Sequence, residues 1–322
     1  NAVLIACSVS LLIFEIVRYP VQSRKPHFAS AAPALIEPAK ALLHGRDPYS
    51  VQLDENTPVS PGPGWILLLA PLTLSGGVML VTPLAAVSCA MLLRKSSPVE
   101  SVLFLPLLLM QPDLLSQTSQ GHDLFAVPLC FAIICLLLDR FWTHGIGLLA
   151  IAVFAGLLAT SRIPMVVLPL IAGLGLSKRS RSAGITFTLV STGIATLLPG
   201  IFYIWASHDH VYYQPLHLFF RAAGSGFGFV ATGAFLASSA AIWIYITMRD
   251  KLADWVLGGA VILIAAFGPI GLGEIRKGEM EGCNYVSFAA SLLIAYICLR
   301  SDTAGVPLSV AGAELEPIEI AL

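Results

Sequence analysis

Two carboxylates, Glu37 and Asp123, and a set of cationic or imidazole side chains, His27, Arg46, His122, Arg162 and Arg276, are the residues suited to chemistry on an anionic substrate. A carboxylate takes the proton of an attacking hydroxyl, and guanidinium or imidazole groups bind a departing phosphate. Each also has a plainer role. Glu37 can pair with Lys40 three residues on along an exposed helix face, and Asp123 can cap a helix start. Arg162 can snorkel to a membrane interface, and Arg276 with Lys277 can be neutralised by Glu274, Glu279 and Glu281 in the loop GEIRKGEMEG. His208, Asp209 and His210 form an HDH run, but two neighbouring imidazoles without a third ligand or helical spacing are a weak metal signal. No metal ligand set is assigned and no cofactor is required, although a divalent ion stays open. The chain has no CxxC, HExxH or Walker phosphate loop, which removes the usual support for a zinc hydrolase or a nucleotide hydrolase.

The elements that must position these groups are membrane helices. Of the 322 residues, 57% are apolar and 11% charged, and mean hydropathy is +0.83, the composition of a chain whose solvent is mainly lipid. Continuous apolar runs rather than period-two alternation exclude a β-barrel. At about 20 residues per crossing the chain reads as an all-α polytopic bundle of about ten spans, at roughly 1–17, 64–93, 99–112, 123–138, 145–160, 163–177, 183–206, 227–248, 254–273 and 283–299. Residues 1–300 form a single transmembrane domain, and 301–322 a cytoplasmic, disordered tail. The absence of an initiator Met and the short first run predict that sequence precedes Asn1. Arg94 with Lys95, Arg140, Lys178 with Arg179 and Arg181, Arg249 with Lys251, and Arg300 make every short loop on one side basic, so that side and both termini are expected to be cytoplasmic. Six of the seven His (His27, His44, His122, His208, His210 and His217) and most acids then fall outside, in an integral multi-pass protein of the plasma (inner) membrane.

The longest polar stretch, 18–63, is the first outer loop. Leu35, Ala39, Leu42 and Leu43 give one face of a short helix along the membrane surface, which Gly45 stops. Asp47 and Pro48 then make a turn. The segment PVSPGPGW delays the next helix until Trp65, read as an interfacial anchor, and Pro71 breaks the apolar run behind it. Cys7, Cys89, Cys130, Cys135 and Cys298 lie inside spans, and no disulfide framework is implied.

The helix ending in LLHGRDPY, the Pro-rich entry to ILLLAPL, the GHD opening of SQGHDLFAVPLC, and GLLATSRIPMVVLPLI together resemble the GT-C class of integral-membrane glycosyltransferases, in particular the polyprenyl-phosphate-mannose-dependent type; the likeness covers about 31–175. It implies a GT-C-like architecture, a polyprenyl-phosphate sugar donor, a glycan or lipid acceptor, membrane lipid around the chain, and no nucleic acid. It also implies transfer of the sugar to an acceptor hydroxyl at the outer face with inversion. In that class the base is an acid, usually an Asp shortly before the surface helix. Here Ser30, Ala31 and Ala32 stand at that place, which leaves Glu37 and Asp123 as the catalytic candidates, and His27, Arg46, His122, Arg162 and Arg276 as phosphate or substrate ligands. Two other readings use the same residues: a transporter or flippase of a lipid-linked or small polar substrate, which charges buried mid-span would favour, and an inactive relative serving as an assembly partner.

Overall fold

The computed structural model describes residues 2–23, 32–51, 53, 59–205, 228–249, 251–276, 287 and 289–301. His27, Lys277, the HDH run and the tail after Ser301 lie outside these. Among the described residues the chain is all helical, with no strand. Its α-helices are α1 (Ala2–Gln22), α2 (Pro33–Leu43), α3 (Pro63–Leu74), α4 (Val81–Ser96), α5 (Ser101–Leu109), α6 (Pro112–Thr118), α7 (Ala126–Phe141), α8 (Gly145–Ala159), α9 (Val167–Arg179), α10 (Arg181–Trp205), α11 (Gly228–Met248), α12 (Leu252–Arg276) and α13 (Ala290–Ser301).

Four segments are long and apolar enough to cross a membrane: Ala2–Val21, Val78–Ser96, Arg181–Trp205 and Leu252–Gly273. Pro63–Leu74, Gly145–Ala159, Thr232–Met248 and Ala290–Arg300 are shorter apolar helices. These helices make the chain a membrane protein. Its core centres on α7, where Phe131, Ile134, Cys135, Leu136 and Leu138 are buried between α4, α8, α12 and α13. In lipid the hydrophobic effect does not draw apolar helices together, so packing and the few buried polar contacts carry much of the association.

The basic loops gather at one end of the bundle. There Arg140 donates to Leu92 O and Ser96 Oγ, Arg179 pairs with Asp139 at 2.5 Å and stacks over Trp255, and Lys178 bonds Thr247 O. The opposite end holds Asp123, just before the start of α7.

Several expected boundaries move. Helix α1 runs on past Arg18 to Gln22, so the first loop is shorter than 18–63. The expected span 64–93 is two elements, because α3 continues through Pro71 and ends at Leu74, followed by Gly76 at φ +80°. Trp65 at the start of α3 bonds Asp123, and Thr82 in the first turn of α4 bonds His122 O. The starts of α3 and α4 therefore both sit at the Asp123 end, and α4 carries the chain across, to Arg140. The expected span 99–112 likewise runs on, since α5 breaks at Gln111 and α6 takes the chain to Thr118 beside Glu15. Pro106 in α5 and Pro112 at the head of α6 lack the amide hydrogens that a continuous helix would use.

Candidate site at the Asp123 end

Helix α2 ends where Gly45, at φ +66°, closes it with a bond from its N–H to Leu42 O, and Asp47 Oδ1 then accepts from Tyr49 N at 2.9 Å. Part of its apolar side is covered by protein. Ala34 and Ala39 pack with Tyr49, Leu53, Val59, Ile66 of α3 and Phe202 of α10 in a second core, while Leu43 is exposed. The cause is α3, which offers a protein surface where lipid was expected.

Glycines bring the chain ends together. A Cβ on Gly62 would fall 1.8 Å from Thr160 O, and one on Gly64 would fall 2.7 Å from Thr160 Oγ1. Only a bare backbone lets GPGW press on the turn after α8. Gly62 N donates to Ser161 O at 3.4 Å and Trp65 N to Thr160 Oγ1 at 2.9 Å, with Pro63 at the first helical position. Gly121, at φ +75°, turns the chain between α6 and α7, and a Cβ there would meet Ala32 at 2.8 Å and Tyr19 at 3.2 Å. The end of α1, the start of α2, the 121–123 loop and the 160–162 turn thus converge.

At their centre is a buried polar cluster. The Trp65 indole is fully buried, not an interfacial anchor, and donates from Nε1 to Asp123 Oδ2 at 2.6 Å. Arg162 Nη2 donates to Asp123 Oδ1 at 3.3 Å, and Nη1 donates to Ser161 O at 2.6 Å. The Arg162 and Asp123 side chains are 7% and 5% exposed. Asp123 does not cap α7, whose N-terminus has no side-chain cap, and Arg162 does not snorkel. An ion pair this deep is held by its hydrogen bonds, because removal from water costs each charge several kcal/mol, on the order of what the pairing returns. Ser161 Oγ and Gln117 Oε1, both buried, have no partner among the described residues.

His122 is partly buried. Burial pushes its imidazole down to about 4, the Asp123 carboxylate opposes that, and the Arg162 guanidinium adds to it. Near neutral pH it is an uncharged hydrogen-bonding group rather than a cation.

The remaining candidates stand apart. Glu37 is 43% exposed and pairs with Lys40 at 2.7 Å. Ala32 packs on Gly121, so Glu37 lies on the order of 8 Å further along α2 at a rise of about 1.5 Å per residue. Arg46 and Arg276 are exposed, the latter in the last turn of α12. Sequence reasoning missed Trp65, Thr160 and Gly62 as partners of this cluster. The signal was present in the two glycines around Pro63, which mark a close backbone approach and not merely a delayed helix. No group of three or more His, Cys, Asp or Glu suited to a metal occurs among the described residues.

The class these features define is a helical membrane protein with a buried charged cluster at the Asp123 end. Comparisons with protein-family models, curated proteins and solved structures return no match.

Proposed function

We propose that the chain transfers a sugar from a polyprenyl-phosphate donor to an acceptor hydroxyl, with inversion, in a ten-span GT-C-like bundle of the plasma membrane whose Asp123 end faces outward and whose termini lie inside. The observation that carries this reading is Arg162, a buried guanidinium oriented by Asp123 beside a Ser161 hydroxyl that has no partner among the described residues, where the first loop is clamped to the bundle. A fixed guanidinium suits a phosphate that gains charge as the C1–O bond breaks. The acceptor oxygen attacks C1, polyprenyl phosphate leaves, and the hydroxyl proton passes to a carboxylate. Glu37 is the carboxylate open to an acceptor. Asp123 has both oxygens engaged and serves to hold Arg162, with neutral His122 as a hydrogen-bonding neighbour.

The test is sugar transfer, or slow donor hydrolysis, by reconstituted protein with synthetic polyprenyl-phosphate sugars. We expect donor-dependent turnover that falls about 100-fold or more in Glu37→Gln. Turnover retained in that variant removes Glu37 as the base, and no turnover with any donor sinks the enzyme reading.

One observation favours the transporter reading. Glu15, within an apolar span, is fully buried, and its Oε2 has no partner among the described residues while Oε1 accepts from Thr118 Oγ1 at 2.7 Å. Buried ionisable groups in spans often mark ion or proton paths. Proton-coupled uptake into vesicles that Glu15→Gln abolishes would establish that reading in place of the enzyme.

A further inference from the structure

Among the described residues of α1, only Leu4, Leu11 and Glu15 are buried, and their spacing puts them in one line along the helix. The third member of this otherwise apolar line is a carboxyl group. It faces α6, where Oε1 lies 2.7 Å from Thr118 Oγ1, while Oε2 has no partner among the described residues. The same threonine hydroxyl lies 2.6 Å from Leu114 O and 3.3 Å from Leu115 O.

Counting hydrogens decides the charge of this group. A threonine hydroxyl has one hydrogen, and a carbonyl or carboxylate oxygen has none. Drawn with an ionised Glu15, the hydrogen goes to the carboxylate, and Oγ1 is left 2.6 Å from Leu114 O with no hydrogen between the two oxygens. With a hydrogen on Glu15 Oε1 the bond reverses. Glu15 then donates to Thr118 Oγ1, Thr118 donates to Leu114 O, and each short contact holds one hydrogen. Oε2 becomes the carbonyl oxygen of a neutral acid, which costs less to bury without a partner than half of a charge.

The surroundings supply no counter-charge. Helix α1 packs on α4, α5 and the turn Val78–Leu80. The turn and α5 contain no titratable residue, and α4 brings only Cys89, with Arg94 and Lys95 in its last turn at the far end. On α6 the one acid, Asp113, is in the first turn, five residues from Thr118 and so off its face. On α1 itself Cys7 is about two turns away, Arg18 is exposed, and Tyr19 lies against Gly121. No ion pair among the described residues includes Glu15.

The geometry points to Glu15 as a proton-binding site, a neutral carboxylic acid near neutral pH that ties α1 to α6 through Thr118. Helix α6 leads directly into the loop that carries Asp123, with Gly121 N bonded to Thr118 O at 2.8 Å and His122 N to Gln117 O at 3.0 Å. Loss of the proton turns the Thr118 hydroxyl away from Leu114 O and sets an unpaired charge below that loop, so the tie depends on the proton. The proposal rests on neither the enzyme nor the transporter reading, since it concerns the resting charge of Glu15, which both would share.

The test is infrared spectroscopy of the full-length protein at about pH 7, in a detergent free of ester carbonyls. Ordinary Asp and Glu side chains are ionised there, so the carboxylic-acid C=O region reports only acids that keep their proton. Wild type is expected to show such a band, shifted on exchange into heavy water, and Glu15→Gln to lack it. Thr118→Val keeps the acid but removes its acceptor, and should shift the band without abolishing it. No band in wild type, an equal band in Glu15→Gln, or a band unmoved by Thr118→Val overturns the proposal. So does loss of the band when sodium replaces choline at constant pH, which would make Glu15 a metal-cation ligand. If Glu15→Gln fails to fold, the wild-type band and its response to Thr118→Val still decide the matter.

Discussion

The two ends of the bundle treat charge in opposite ways. At the Asp123 end the Arg162–Asp123 pair is 7% and 5% exposed and shares its carboxylate with a buried indole. At the basic end the Arg179–Asp139 pair is 27% and 30% exposed, at 2.5 Å. The shorter pair is the wetter one, so distance alone does not rank them. Water screens the basic end, whose partly exposed charges are individually replaceable. The Asp123 end encloses its charges with fixed partners, so losing one leaves another stranded.

The largest expected effect separates the two pairs directly. Asp123→Ala leaves a buried unpaired guanidinium and should cost about 3–5 kcal/mol, whereas Asp139→Ala should cost about 1 kcal/mol or less. Unfolding in a denaturing detergent measures both, and equal losses would break the contrast. Next come the glycines. Gly62→Ala drives a Cβ into Thr160 O and should cost about 1–3 kcal/mol by overpacking, while Gly145→Ala at the other end enters open space and should not destabilise.

A pH effect follows from His122. Its folded pKa, about 4, lies below the ordinary 6.5, so the unfolded chain binds more protons between these values. Stability from this group is therefore complete above about pH 6.5 and is lost as pH falls towards 4. Melting temperature should decline over that window in wild type and decline less in His122→Asn; identical profiles would contradict the assignment. The smallest effect is that of Glu37→Gln, whose exposed pair with Lys40 is worth about 0.5 kcal/mol or less. Loss of activity with near-wild-type stability is the signature of a chemical role there.

Local chemistry was the legible part of this sequence. The stop at Gly45, the Asp47 turn and the Glu37–Lys40 pair depend on near neighbours, and each is present in the structure. What could not be read depends on distant partners. Trp65 suits an interface by type and lies buried because Gly62 and Gly64 admit the 160–162 turn. An apolar run such as 64–93 does not say where it doubles back, since hydropathy is the same for a helix that crosses and one that stays at one end. Apolar faces carry the same ambiguity: the apolar side of α2 suits lipid by residue type, and α3 covers part of it.

The most direct test compares the two arginines. Binding of a synthetic polyprenyl-phosphate sugar should be measured for wild type, Arg162→Gln and Arg179→Gln, each checked for folding by its thermal transition. With Asp123→Asn added to Arg162→Gln, no buried charge is left stranded, and a folded protein is secured. We expect donor affinity to fall at least tenfold when Arg162 is replaced, on the scale of one charge-assisted phosphate contact of about 1.5–3 kcal/mol, and to remain unchanged without Arg179. Equal affinities in the two variants, or wild-type binding without Arg162, would contradict the assignment of the buried cluster as the donor-phosphate site.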